Sequence, residues 1–157
     1  MNGVMSDSPV ELDASNPFAS RSTLPYALPD FAAIRDEHYI PAVRAGMAAE
    51  LAEVEAIVTD PNPPTVENTL EALELSGDIL DRALTVLYNV ASSDSSPALE
   101  DIEETLAPEL SAHHDTIFMD ARLYSRVVAL DAAVRAGEVE ADADTRWLLE
   151  NLLQDFR

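Results

Sequence analysis

With 157 residues, of which 47% are hydrophobic, the chain is long enough to form one domain with a substantial core. Its 30 acidic residues against 9 arginines and no lysine give a formal charge of −21, which excludes nucleic acids and anionic membranes as expected partners. The lack of cysteine excludes disulfides and thiolate metal sites, and without a membrane-length apolar run or a secretory signal the protein is expected in the cytoplasm.

An irregular arm is predicted over the first 30 residues, where four prolines lie among serine, aspartate and asparagine without a regular period. Residues 1–15 are predicted to be a disordered tail, and residues 16–157 a helical domain. The arm residues expected to pack against that domain are Asn16, Phe18, Leu24 and Tyr26.

The first predicted helix covers residues 40–58, where apolar side chains recur every three or four positions. Pro41 suits its first turn, because the missing N–H costs little there. The prolines of residues 60–64 end the helix.

A second helix is predicted to begin after Thr65, a good N-cap residue. Its apolar seam continues through residues 66–91 and indicates one helix about 39 Å long. Gly77 lies inside this seam, either because two helices cross closely there or because glycine is merely tolerated.

Three more helices follow from the remaining pattern. The third begins at Pro97 after the N-cap Ser96, and Pro108 should kink it or split it in two. The fourth is closed by Gly137, and the fifth begins near residues 142–144 and continues to the C-terminus. The predicted fold class is therefore all-α. Because the connections are short, neighbouring helices should be antiparallel, and we expect a bundle of about five helices preceded by the irregular N-terminal arm.

The candidate metal and catalytic residues are few, because the chain has only three histidines. His113 and His114 are adjacent and point about 100° apart on a helix, so they cannot face one ion together. Glu109 and His113 are four positions apart on one helical face and could supply two metal ligands, although a core histidine is the commoner outcome. His38 is expected to cap the first helix or bridge it to the arm, with a peptide contact as the alternative.

No catalytic or metal-binding residue is therefore assigned, and the substrate-binding residues remain unknown. The acidic excess is expected to be a solvated surface. Adaptation to high salt and attraction of cationic peptides into an acidic channel are the alternatives.

Four segments carry a family resemblance. They are Asn-Pro-Phe at 16–18, Leu-Pro-Tyr at 24–26, His-Tyr-Ile-Pro-Ala at 38–42, and the run from Pro-Thr-Val-Glu-Asn to Leu-Ser-Gly at 64–77. The chain resembles the N-terminal region of the thimet-oligopeptidase family of zinc metallopeptidases. Within that family it is most similar to the bacterial peptidyl-dipeptidase branch, and next to oligopeptidase A.

The resemblance implies a helical clamshell in which the N-terminal helices form one wall of a peptide channel. The family holds zinc through a His-Glu-x-x-His motif and a later glutamate, and this chain contains no such motif. We therefore expect a non-catalytic wall segment that is inactive alone. Zinc, the catalytic region and short peptide substrates would belong to the parent enzyme.

A free-standing helical module that binds or regulates another protein is the alternative function. An independent metal-dependent enzyme fails because too few ligands are present. The chain ends one residue past a helix with apolar side chains, so truncation is expected. A truncated wall would expose apolar surface, and a dimer through the last helix, around Trp147, Leu148 and Phe156, is a further expectation.

Overall fold

The computed structural model describes residues 12–156 of the chain. Across this range the regular secondary structure is helical and contains no strand, which confirms the all-α prediction. The first eleven residues of the tail predicted to be disordered lie outside the described part. The rest of that tail includes a turn in which the Asn16 N–H donates to the Asp13 carbonyl at 2.9 Å.

The described part of the arm is irregular as predicted, and its buried residues are Asn16 and Phe18. Leu24 and Tyr26 are 43% and 98% exposed, so the prediction that these two pack is wrong. The short 3₁₀ turn Pro25–Ala27 explains the difference, because Tyr26 adopts a left-handed backbone (φ 60°) and its side chain lies in solvent.

Helix α1, Tyr39–Thr59, confirms the first predicted helix and is preceded by the 3₁₀ turn Asp36–His38. Pro41 occupies its first turn, where no helical N–H bond is lost. At the other end the Thr59 hydroxyl donates to the Glu55 carbonyl at 2.6 Å. The helix ends before the proline-rich connection begins.

The prediction of one helix over residues 66–91 is wrong. The chain instead forms a π-helix, Val66–Glu71, a short α2, Ala72–Glu74, and then α3, Asp78–Ser93. Gly77 separates the last two in the left-handed conformation, with φ 75°. Because a left-handed residue ends the helical hydrogen-bond ladder, the glycine is a helix boundary rather than a tolerated interior residue.

Thr65 caps the π-helix as predicted: its Oγ1 accepts the Asn68 N–H at 3.1 Å, and Asn68 Oδ1 accepts the Thr65 N–H at 2.7 Å. Thr65→Ala is expected to lower the free energy of unfolding by about 1 kcal/mol, because one capping acceptor is lost. Urea denaturation followed by circular dichroism measures the change. Thr65→Ser retains the hydroxyl and is the control; an equal loss for serine and alanine would contradict the cap.

Among the last three helices, the first begins, the second ends and the third begins where the sequence predicts. They are α4, Pro97–Phe118, α5, Ala121–Ala136, and α6, Ala143–Asp155. Ser96 Oγ accepts the Leu99 N–H at 3.3 Å, so the predicted N-cap is present. Asp142 Oδ1 accepts the Thr145 N–H at 2.8 Å and caps α6. Pro108 lies within α4 without splitting it into two helices.

The described residues form two compact units. Unit 1 contains the residues up to Ala49 together with Gly77–Ala107, and unit 2 contains Glu50–Ser76 together with the residues from Pro108 onward. In unit 2, the fully buried face of α5 packs in one core with side chains of the π-helix and α6; these are Leu123, Val127, Leu130, Leu70 and Leu149. Within residues 12–156, no helix is both long and apolar enough to span a bilayer.

The close helix approach in unit 1 occurs at Gly46 rather than at Gly77. A Cβ built on Gly46 would lie 2.6 Å from the backbone nitrogen of Leu80 and 2.7 Å from its Cα. Helices α1 and α3 therefore meet at backbone distance, and only glycine fits between them.

Candidate functional site

His38 lies at the start of α1 and has the structural role predicted for it. Its Nδ1 accepts the Arg35 N–H at 2.9 Å, so the neutral ring carries its proton on Nε2. Its carbonyl accepts from Asn16 Nδ2 at 3.1 Å, which ties the arm to the helix start. The predicted bridge to the arm is confirmed. The ring caps the 3₁₀ turn Asp36–His38 and not α1 itself, so the predicted cap of the first helix is not found.

His113 is a core histidine on α4, with its side chain 8% exposed. Its Nε2 lies 2.6 Å from Glu50 Oε2 on α1, and both residues belong to unit 2. Its Nδ1 is buried without a hydrogen-bond partner. The hydrogen bond thus goes to Glu50, 63 positions away, and His113 is the core histidine that the sequence favoured.

The third histidine, His114, is exposed, and its ring stacks on Phe118 with centroids 4.4 Å apart. No three His, Asp or Glu side chains between residues 12 and 156 are grouped so that they could hold a metal ion. His38 and His113 each use one ring nitrogen in a protein hydrogen bond, and no other His, Asp or Glu side chains of the described residues complete a zinc ligand set around them. No catalytic step is derived through zinc for this chain.

Unit 1 contains a cleft of about 560 Å³ between the arm and α3, here called the arm cleft. At the edge of the cleft, the Asp78 carboxylate forms ion pairs with Arg21 at 2.5 Å and with Arg82 at 3.0 Å. Arg82 also donates to the Ser20 carbonyl at 3.0 Å. These contacts hold the arm against the helix.

Arg126 on α5 is a charged residue with a side chain only 9% exposed, and the sequence analysis missed it. Its Nη1 donates to the carbonyls of Asp60 and Asn62, at 3.1 and 3.2 Å, and its Nε donates to Thr69 Oγ1 at 3.0 Å. Its Nη2 lies 3.4 Å from Asp60 Oδ2. One guanidinium therefore fixes the connection after α1 and the π-helix of unit 2.

The pKa of Asp60 lies below its ordinary value, chiefly because the Asn62 N–H donates to its carboxylate at 2.9 Å, with the Arg126 charge acting in the same direction. A carboxyl with a depressed folded pKa stabilises the fold above its unfolded pKa and loses that contribution as the pH falls through the folded value. Unfolding free energies measured from pH 6 to pH 2.5 should therefore fall more steeply for the wild type than for Asp60→Asn below about pH 4. Parallel curves for the two proteins would contradict this assignment.

The described side chains thus form structural contacts and line surface clefts. The chain is also similar in sequence to known peptidases. The chain is 34% identical over 141 residues to dipeptidyl carboxypeptidase of Escherichia coli, which covers 90% of this chain and 20% of that protein. For dipeptidyl carboxypeptidase of Salmonella typhimurium the identity is 37% over 117 residues, covering 74% and 17%. For oligopeptidase A of Salmonella typhimurium it is 31% over 133 residues, covering 83% and 19%.

The chain belongs to the dipeptidyl carboxypeptidase and oligopeptidase A family. The predicted resemblance is confirmed, including the higher identity to the dipeptidyl carboxypeptidases. No family model matches the chain. It spans about a fifth of the length of the curated relatives it matches.

Three of the four segments that carry the family resemblance supply buried structural contacts in this chain, and the segment 24–26 is the exception. Asn16 and Phe18 are buried, and the Phe18 ring lies 5.8 Å from that of Tyr39 at the start of α1. Thr69 and Leu70 of the π-helix are buried as well. These buried residues fix the arm and the π-helix in their places.

Proposed function

We propose that the chain is a non-catalytic N-terminal segment of a zinc metallopeptidase of the peptidyl-dipeptidase and oligopeptidase type, and that it forms part of the wall of the substrate channel. The observation that carries the proposal is the match of 90% of this chain to only 20% of a dipeptidyl carboxypeptidase. The sequence itself contains no His-Glu-x-x-His motif. Zinc and the proton-transfer groups would then belong to the larger part of the enzyme.

Exposed apolar side chains at the end of the arm and directly after it support the presence of further polypeptide beside unit 1. Leu24, Tyr26, Leu28 and Phe31 all lie within eight residues and are exposed. Such a concentration of large apolar surface is typical of an interface. A wall of this kind contributes to catalysis by orienting the substrate and excluding water, without taking part in bond making.

The coding sequence beyond Arg157 gives the most direct test. We expect the reading frame to continue and to encode His-Glu-x-x-His. A stop codon at that point would overturn the wall proposal. It would favour the alternative of a free-standing helical binding module, for which the exposed apolar arm is the supporting observation.

The purified 157-residue chain is expected not to hydrolyse short peptides, because its sequence has no His-Glu-x-x-His motif and residues 12–156 contain no group of three possible zinc ligands. Release of C-terminal dipeptides, and internal cleavage of blocked peptides, would be followed by mass spectrometry with and without added zinc. A full-length dipeptidyl carboxypeptidase run in parallel verifies the assay. Cleavage that requires zinc and stops with a chelator would show that the chain is itself catalytic.

The cytoplasmic location expected from the sequence is part of the same proposal. Fractionation of cells that express the complete gene tests it, and recovery from the periplasm or membrane would contradict it.

A further inference from the structure

Unit 2 contains an open groove of about 620 Å³ between the π-helix with α2 and the first turns of α6. It is named here the acidic groove. Leu70 forms a buried part of its lining, while Leu75 and Trp147 line it with side chains that are 77% and 66% exposed. Large apolar side chains beside a groove are the kind of anchor that binding partners cover, tryptophan above all.

The charged side chains that line the acidic groove are all negative. Four carboxylates line it, those of Glu71, Glu74, Asp142 and Asp144, and no arginine does so within the described part of the chain. Asp142 caps α6 through the Thr145 N–H. The other three have exposed side chains and no ion pair with any residue between 12 and 156. Their charge is therefore available to an outside cation.

A second copy of this chain fits the acidic groove poorly, although the sequence suggested a dimer around Trp147. A two-fold contact places the same surface on both sides, so it would bring two sets of four carboxylates together. The rest of the chain adds to that repulsion, because its formal charge is −21. Phe156, another residue of the expected dimer surface, packs instead against Phe118 and Tyr124, with ring centroids 5.2 and 5.5 Å away.

We propose that the acidic groove is the docking site for a basic amphipathic helical segment of the polypeptide that accompanies this chain in the full-length peptidase. Apolar side chains of that segment would cover Leu75 and Trp147, and its arginine or lysine side chains would face the carboxylates. That this segment comes from the same polypeptide rests on the proposed function. The chain spans only a fifth of the length of its relatives, so most of such an enzyme would lie outside it.

A synthetic probe tests the surface directly. The probe is a 14-residue fluorescein-labelled peptide with leucine on one helical face and arginine on the other. Trp147 is the only tryptophan, so its emission reports the groove itself. Binding is expected to be saturable, to shift this emission to the blue, and to weaken about tenfold when salt rises from 20 to 300 mM. A peptide with glutamate in place of arginine, and one with serine in place of leucine, should not produce the shift.

Matched variants separate the groove from general attraction to an acidic protein. The triple variant Glu71→Gln, Glu74→Gln, Asp144→Asn should bind the probe about tenfold more weakly, since each exposed ion pair contributes a fraction of a kcal/mol. The control is Asp101→Asn, Glu104→Gln, Glu138→Gln, which removes the same charge from exposed residues that do not line the groove. It should change the affinity less than twofold. Leu75→Ser should weaken binding with little effect on folding, because this side chain is largely exposed.

The source of the segment is tested with the full-length peptidase. There the groove is already covered, so the labelled probe should bind at least tenfold more weakly than to the 157-residue chain, as measured by fluorescence anisotropy. Equal binding to both proteins would overturn the docking proposal, and so would equal effects of the two triple variants. Self-association of the chain in sedimentation, with Trp147 becoming buried, would assign the groove to a second copy instead.

The two proposals fail in different ways. A His-Glu-x-x-His motif downstream with no blue shift overturns the docking proposal and leaves the wall proposal intact. A stop codon after Arg157 together with tight probe binding overturns the intramolecular source and the wall proposal, and assigns the groove to a separate protein.

Discussion

Gly46→Ala is expected to lower the free energy of unfolding by about 3 kcal/mol, because the added methyl group overlaps backbone atoms of α3. The new Cβ would lie 2.6, 2.7 and 2.9 Å from the nitrogen, Cα and Cβ of Leu80. Two of these atoms are backbone, so relief requires α1 and α3 to move apart. The gain in helix propensity, about 1 kcal/mol, is too small to compensate. Urea denaturation followed by circular dichroism measures the loss.

Gly137→Ala is the matched control, because it adds the same methyl group where nothing lies within 4 Å. Gly137 has φ 74°, so alanine there costs only the strain of a left-handed backbone, about 1 kcal/mol. If both substitutions destabilised the protein equally, the close approach of α1 and α3 would not be the reason for glycine at position 46. Gly46→Val should be more harmful still, since it is larger and β-branched.

Helix starts and ends were predictable because their signals are local. Thr65, Ser96 and Asp142 each cap a helix with a side chain that reaches a backbone N–H three residues ahead. Gly137 ends α5 in the left-handed conformation, as its position after the last apolar residue predicts. Such signals depend on a few neighbouring residues, so a single sequence contains them.

The break at Gly77 was missed because the apolar period continues across it. Leu73 and Leu80 both lie on the seam that predicted one helix, yet they belong to different units, Leu73 to unit 2 and Leu80 to unit 1. Hydrophobic spacing reports which side chains are apolar and does not report the sign of one φ angle. The same limitation applies to Tyr26, whose left-handed backbone leaves an aromatic side chain in solvent.

The polar contacts of unit 2 were the least predictable feature. His113 was singled out from the sequence, but its partner Glu50 is 63 positions away. The acceptors of Arg126 lie 57 to 66 positions before it. Helical periodicity relates residues three and four positions apart, so it gives no information on pairs that only the fold brings together. The acidic groove was missed for the same reason, since the π-helix and α6 that line it are far apart in sequence.

Arg126→Ala is expected to destabilise unit 2 by about 3 kcal/mol, because removing one side of a buried ionic contact leaves its partners unsatisfied. The side chain is 9% exposed, and its loss strips a donor from the carbonyls of Asp60 and Asn62 and from the hydroxyl of Thr69. Arg126→Lys should recover only part of this, because one ammonium group lacks the planar fork that spans these acceptors. Hydrogen exchange at residues 66–71 measures the local effect, and urea denaturation the global one.

Arg122→Ala is the control for charge and for position on α5. Arg122 makes two hydrogen bonds to Glu55, at 3.0 and 2.8 Å, yet its side chain is 55% exposed. Exposed ion pairs contribute little to stability, so this variant should unfold close to the wild type. Arg122→Ala and Arg126→Ala could instead lower the free energy of unfolding to the same extent. The general loss of positive charge from an acidic chain would then explain both results, and the contacts of Arg126 with the connection and the π-helix would not account for its contribution to stability.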